Sequence, residues 1–83
     1  MTLKAPEILL RLGDVICNHF NCPTAEISRR TSARDIVGWD SLAHTMVLLR
    51  IEDEFGIQLP MDRAFTVKNV GELADLVAEA ASA

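Results

Sequence analysis

The sequence predicts an all-α protein: a small antiparallel bundle of three main helices plus one short helix, with a long loop between helices one and two. Three segments place apolar residues three and four positions apart, the spacing of one helix face. Turn-forming residues separate these segments, and no stretch alternates as a strand would. We expect the 83 residues to form one domain, 1–83, with a modest core.

The first helix is expected from about Ala5 to Phe20. Pro6 suits its first turn, and Asn21-Cys22-Pro23 should end it. The residues at helical spacing are Ile8, Leu9, Leu12, Val15, Ile16 and His19. A long polar connection follows, from Thr24 to Trp39, and it should be either functional or packed on the core. Its expected apolar anchors are Ile27, Ile36 and Val37.

Cys17, His19 and Cys22 form a Cys-x-His-x2-Cys pattern that resembles part of a zinc site. A fourth ligand would have to come from a distant part of the chain. Two cysteines do not make a disulfide framework either. We therefore expect Cys17 to pack within the first helix, Cys22 to lie in the following loop, and no metal to be bound.

The second helix, from Ser41 to Phe55, carries two apolar rows. The row expected to face the core consists of Val47, Leu48, Ile51 and Phe55. The second row consists of Leu42, Thr45, Met46 and Leu49. Both rows together exceed the stripe that a helix of a small bundle buries, so the second should be partly exposed as a partner site. The alternative is a wide core that covers both rows.

The start of this helix is the most informative stretch. Gly38 and Trp39 bring the chain into a turn, and Asp40 can cap the helix, which Gly56 should end in the left-handed conformation. Ser41 then lies in the first helical turn, where unpaired backbone N–H groups and the helix dipole favour an attached anion. A serine in this position is suited to carry a phosphate ester.

Two further helices complete the predicted bundle. Pro60 should start a short helix from Met61 to Phe65, and the last helix should run from Asn69 to about Ala80. Asn69 and Glu72 form a capping-box pattern at its start. The expected buried face of the last helix is Val70, Leu73, Ala74, Leu76 and Val77.

Composition narrows the possible functions. Hydrophobic residues are 49% of the chain and charged residues 24%, which is the balance of a globular protein. The formal net charge of −4 argues against a nucleic-acid partner. No apolar run has the length of a membrane span, and the N-terminus lacks the apolar core of a signal peptide. We expect a soluble, cytoplasmic monomer.

The chain resembles the acyl carrier proteins, the phosphopantetheine-bearing family of fatty acid, polyketide and related pathways. The resemblance covers nearly the whole length. Besides the long helix and loop, the matching motifs are Gly38-Trp39-Asp40-Ser41-Leu42, Glu52-Asp53-Glu54-Phe55-Gly56-Ile57, Pro60 and Val70-Gly71-Glu72-Leu73. Asp-Ser-Leu alone is a weak motif, but here it opens an amphipathic helix that ends in Glu-Phe-Gly.

The resemblance implies a role for particular residues. Ser41 would receive 4′-phosphopantetheine through a phosphodiester, and the thiol of this arm would carry acyl groups as thioesters. Asp40 would cap the helix and take part when the transferase attaches the arm with magnesium. The expected partner-binding residues are Leu42, Thr45, Met46, Leu49 and Val67. Positions that line a cargo space between the second and third helices are matched by Leu59, Ala64 and Val67.

The expected partners are a phosphopantetheinyl transferase, an acyl- or aminoacyl-loading ligase or acyltransferase, and a condensing enzyme. The chain departs from fatty-acid carriers in lacking acidic residues at the head of helix two and in placing Met61 and Arg63 on the short helix. Recognition should therefore depend more on apolar contact than on acidic charge. Trp39 before the Asp-Ser pair resembles free-standing carriers of specialised pathways.

Three alternatives stay open at this point. The chain could be a peptidyl or aminoacyl carrier, or a helical interaction module that is never modified. An enzyme would use Ser41 as nucleophile, His44 as base and Asp40 to orient it. No oxyanion-hole loop or substrate pocket is indicated, so we expect no enzyme and interpret His44 as an exposed contact residue. The cargo is not indicated by the sequence.

Overall fold

The structure is a computed structural model that describes residues 4–22 and 27–82. Its elements are α1 (Ala5–Phe20), a 3₁₀ helix (Ala33–Asp35), α2 (Ser41–Phe55), α3 (Met61–Ala64) and α4 (Val70–Ser82). The predicted fold class is confirmed: three main helices and one short helix, with no β-strand in the described part of the chain. The 3₁₀ helix was not predicted. Pro23 and Thr24, at the predicted junction of helix and loop, lie outside the described residues.

The core lies where α1 packs against both α2 and α4. Its largest fully buried side chains are Ile8, Leu12, Ile16, Val47, Leu48, Ile51, Val70, Leu73 and Val77. The predicted face of α4 is buried throughout, and that of α1 is buried except for the half-buried Leu9 and His19. Phe55, predicted to face the core, is also only half-buried; the Arg11 guanidinium covers part of its ring, 4.5 Å from the centroid.

Both ends of α2 lie where the capping residues Asp40 and Gly56 predict them. The Asp40 carboxylate accepts a hydrogen bond from the Ala43 N–H at 2.8 Å, which caps one of the unpaired donors of the first turn. Gly56 has a φ of 64°, and its N–H donates to the Glu52 carbonyl. A left-handed residue after the last helical turn costs least for glycine, so Gly56 ends the helix as predicted.

The end of α1 is formed by Asn21, which adopts the left-handed conformation with φ 57° and donates its N–H to the Cys17 carbonyl. Cys17 is buried in α1 and Cys22 is half-buried just after it, as predicted. Their sulfur atoms lie 3.1 Å apart as a thiol–thiol hydrogen bond. Within the described ranges, no group of three or more potential metal ligands comes together.

The long connection is held mainly by hydrogen bonds to α4. Val70 donates its N–H to the carbonyl of the buried Thr31 at 2.8 Å, and Gly71 donates to the Arg29 carbonyl at 2.9 Å. These N–H groups have no partner inside the helix, so the loop satisfies them. A Cβ at Gly71 would lie 2.9 Å from the Arg29 oxygen, which is too close for an undisturbed side chain.

The predicted apolar anchors are only partly right. Ile27 and Ile36 pack half-buried against the core, but Val37 is 97% exposed. Ile36 has an extended backbone, with φ −123° and ψ 122°. Neighbouring side chains of an extended segment point to opposite sides, so only one of the adjacent pair Ile36 and Val37 can face the core.

The last two helices match their predicted bounds closely. α3 ends at Ala64, one residue before the prediction, and α4 starts after Asn69 and extends to Ser82. The Asn69 side-chain oxygen accepts from the Glu72 N–H at 2.9 Å, while the Glu72 carboxylate accepts from the Lys68 N–H at 3.2 Å. In the described ranges, no helix combines the length and the apolar character that crossing a bilayer requires.

Candidate functional site

Ser41 is the first residue of α2, and it is exposed. The turn before it is made by Gly38, whose φ of 89° is a conformation that side-chain-bearing residues rarely adopt. The Asp40 N–H donates to the Gly38 carbonyl at 3.0 Å, which closes the turn. The backbone geometry thus presents Ser41 to solvent at the very start of a helix, as predicted.

The surroundings of Ser41 suit a covalently attached anion. The cap from Asp40 occupies the Ala43 N–H, and the other N–H groups of the first turn have no intrahelical acceptor. These groups and the helix dipole stabilise negative charge at this end. The Thr45 hydroxyl is engaged within the helix, donating to the Ser41 carbonyl at 3.1 Å. A phosphodiester on the Ser41 oxygen therefore fits the local electrostatics.

An open cavity of about 320 Å³ adjoins Ser41. Its walls come from the α1–α2 connection, the start of α2, the segment between α3 and α4, and the start of α4. Apolar lining is provided by Trp39, Phe65, Val67, Val70 and Leu73. Polar lining is provided by Thr31, Ser32, His44, Lys68 and Asn69. A group attached to Ser41 has both apolar surface and hydrogen-bonding atoms within immediate reach.

His44 is not the exposed contact residue that the sequence indicated. The indole N–H of Trp39 donates to His44 Nδ1 at 2.9 Å, and His44 Nε2 lies 2.9 Å from the Ala64 carbonyl oxygen. Because Nδ1 accepts, Nε2 carries the proton and donates to Ala64. The half-buried ring thus ties α2 to the end of α3.

These contacts argue against a catalytic pair of Ser41 and His44. Both ring nitrogens of His44 are engaged by other groups, so neither is available to accept the Ser41 proton. The Asp40 carboxylate, which would have to orient the ring, instead accepts from the Ala43 N–H. The arrangement leaves the Ser41 hydroxyl exposed, with the two side chains that a catalytic use would need engaged elsewhere.

The second apolar row of α2 is exposed. Leu42 is 72% exposed, Met46 45% and Leu49 55%, while Thr45 is half-buried. The alternative of a wide core that covers both rows is therefore wrong. Val67, the fifth predicted partner residue, is half-buried and lines the cavity.

Two of the three predicted cargo-lining residues do not reach the cavity. Leu59 and Ala64 are buried in the core, and only Val67 contributes to the cavity wall. For Ala64, the His44 ring stands on the cavity wall and hydrogen-bonds to the Ala64 carbonyl oxygen. The aromatic lining by Trp39, His44 and Phe65 was missed, because Phe65 comes from a different segment of the chain and the three residues follow no common period.

Comparison with known proteins assigns the family. The family model described as "Phosphopantetheine attachment site" matches residues 11–77. The acyl carrier protein of Acidothermus cellulolyticus is 32% identical over 80 residues, which cover 96% of this chain and 95% of that protein.

Solved structures agree with this assignment. The solution structure of a holo acyl carrier protein from Geobacter metallireducens has a TM-score of 0.80 and 33% identity, covering 90% of this chain and 86% of that chain. An acyl carrier protein from Enterococcus faecalis, at 24% identity, shares the fold with a TM-score of 0.74, covering 94% of this chain and 99% of that chain. This chain therefore belongs to the acyl carrier protein family, whose members are carriers with covalent 4′-phosphopantetheine and not enzymes.

Proposed function

We propose that Ser41 carries the 4′-phosphopantetheine arm and that residues 1–83 act as a single carrier domain. The observation that carries this proposal is the exposed position of Ser41 at the capped start of α2. The arm would be anchored outside the bundle, so its thiol could reach the active sites of other proteins. Acyl groups bound to that thiol as thioesters would be passed between enzymes of fatty acid, polyketide or related biosynthesis.

The surroundings of Ser41 support this role in two ways. The helix start stabilises the phosphodiester anion, and the cavity beside Ser41 gives the arm or its cargo a place to rest between transfers. Asp40 holds the helix start in shape and adds a carboxylate beside the reacting hydroxyl. This carboxylate is the group that we expect to help position magnesium during attachment.

We assign partner binding to the exposed row of α2, formed by Leu42, Met46 and Leu49. These side chains follow directly from Ser41 along one side of the helix, so a protein that receives the arm can also contact them. Contiguous exposed apolar residues are typical of interaction sites. The proposed partners are a phosphopantetheinyl transferase, a loading ligase or acyltransferase, and a condensing enzyme.

An acyl cargo is preferred to the peptidyl or aminoacyl alternative. The reason is that the relatives and the solved structures described above are named acyl carrier proteins. The same architecture would serve the other cargoes, so the loading enzyme that accepts this carrier decides between them.

Attachment at Ser41 is tested by intact mass. The apo protein, incubated with coenzyme A, magnesium and a broad-specificity transferase, should gain the mass of one phosphopantetheine. Ser41→Ala should gain none, while Ser82→Ala, which removes an exposed hydroxyl at the end of α4, should be modified normally. Continued modification of Ser41→Ala would show that another residue carries the arm.

A further inference from the structure

The cavity beside Ser41 has an aromatic wall that is fixed in place. The His44 ring lies 5.9 Å from Trp39 and 5.7 Å from Phe65, measured between ring centroids. Trp39 is also stacked on Phe20 at 5.1 Å with an interplanar angle of 26°. Because each ring contacts the next, moving one ring would break its contacts with its neighbours.

Part of this wall is left uncovered. Phe65 is 49% exposed, although it belongs to the lining of the cavity. An exposed phenyl ring is unfavourable in water, and an apolar group that covered it would be stabilised. A planar group gains more than a flexible chain here, since aromatic rings prefer offset-stacked or edge-to-face contacts. Ser41 lines the same cavity, so a group on its arm can return to this surface.

The inner side of the cavity is closed. His44 lies on its wall and hydrogen-bonds to the Ala64 carbonyl, which joins α2 to α3. Behind it the core is filled by fully buried residues, including Leu48 and Ala64. A long chain could enter the core only by breaking the hydrogen bonds of His44 and displacing packed side chains.

The size of the cavity also favours a compact group. Ligand sites span roughly 300–1,000 Å³, and this cavity, at about 320 Å³, lies at the lower end. Its polar lining includes Lys68 and Asn69, whose side chains carry N–H groups that suit a cargo with oxygen atoms. A short acyl group fits these limits, whereas a long saturated chain would extend into solvent.

We propose that this cavity holds compact acyl groups with an aromatic or conjugated planar part, and that His44 is the specificity-determining residue that excludes long saturated chains. The proposal rests on the proposed attachment of the arm to Ser41. The occupant is the cargo of this chain itself, because its attachment point and the aromatic wall line one cavity. His44 acts by closing the inner side and by holding Trp39 in position.

The test compares the protein loaded with different acyl groups. Acetyl-, hexanoyl-, benzoyl- and palmitoyl-coenzyme A are used with a broad-specificity transferase, and intact mass confirms that each form is complete. Melting temperatures and amide chemical shifts are then measured. Benzoyl should raise the melting temperature by about 2–4 °C above the acetyl form and shift the signals of Phe65 and Asn69. Palmitoyl should do neither.

Variants separate specificity from stability. His44→Ala should open the inner side, so that palmitoyl now raises the melting temperature and the ranking of the acyl groups changes. Leu10→Ala, an exposed position on α1, should keep the wild-type ranking. If His44 has only a structural role, His44→Ala should lower the melting temperature of every acylated form equally and leave the ranking unchanged. That result would overturn the proposal.

A second variant keeps the test decisive if His44→Ala does not fold. Phe65→Ala removes a half-exposed ring and should abolish the benzoyl effect. A wild-type protein that is stabilised more by palmitoyl than by benzoyl, or a benzoyl effect that survives in Phe65→Ala, would overturn the proposal. Failure of loading at Ser41 itself would instead contradict the proposed function, and intact mass detects it before any melting curve.

Discussion

Helix α2 contains two rows of similar side chains with opposite environments. Val47, Leu48 and Ile51 are fully buried, whereas Leu42 and Leu49 are more than half exposed. Residue type does not account for the difference, because leucine occurs in both rows. The difference comes from what lies opposite: α1 packs against one side of α2 and is absent from the other.

A single helix can thus carry one row of side chains that stabilises the fold and another row that is available to a partner. The buried row is stabilised within the fold by the removal of apolar surface from water. The exposed row gains this stabilisation only when a partner covers it. Substitutions in the first row should therefore change the free energy of unfolding, and substitutions in the second row should change binding.

The largest expected effect tests the buried row. Ile51→Ala should lower the free energy of unfolding by about 2–5 kcal/mol, since it removes a fully buried side chain and leaves a cavity. Leu49→Ala, two positions earlier on the exposed row, should lower it by less than about 0.5 kcal/mol. Denaturant melts measure both. Equal losses in the two variants would mean that the rows do not differ as described.

The next largest expected effect tests whether the exposed row of α2 binds partner proteins. Leu49→Glu should slow transfer from the cognate loading enzyme about tenfold or more, because apolar anchors dominate such interfaces. Met46→Glu should act in the same direction, and neither variant should unfold the bundle. Arg50→Ala, the exposed charged neighbour, should change the rate by no more than about twofold.

Salt provides an independent check on the partner face. A contact built on charge weakens as ionic strength rises, whereas an apolar contact does not. Binding that collapses between low and moderate salt, together with full activity of Leu49→Glu, would assign recognition to charge. The acidic residues at the end of α2, Glu52, Asp53 and Glu54, would then be the better candidates.

The smallest expected effect concerns Asp40, which caps the first turn of α2, the helix that carries both rows. Asp40→Ala should lower the free energy of unfolding by about 1 kcal/mol, because the Ala43 N–H loses its 2.8 Å acceptor. Asp40→Asn retains an oxygen at the same position and should restore most of the loss. Thermal melts of the apo protein distinguish the two variants. An unchanged melting temperature in Asp40→Ala would show that solvent replaces the cap at no cost.

The helices and their ends could be predicted from the sequence because their causes are local. Asp40 caps a residue three positions away, Gly56 accepts the left-handed conformation by itself, and Asn69 caps Glu72. The helical spacing of apolar residues identified the core of α1 and α4 in the same way. The exposure of Ser41 followed from its position in the first turn.

Tertiary structure alone decided which groups meet from distant parts of the chain. His44 hydrogen-bonds to Ala64, 20 residues away, and Leu59 and Ala64 are buried in the core instead of lining the cavity. Val37 points outward because its neighbour Ile36 takes the place facing the core. Periodicity states that a helix has an apolar side, but the packing of other elements determines which side is covered. The cavity and its aromatic wall follow from that packing.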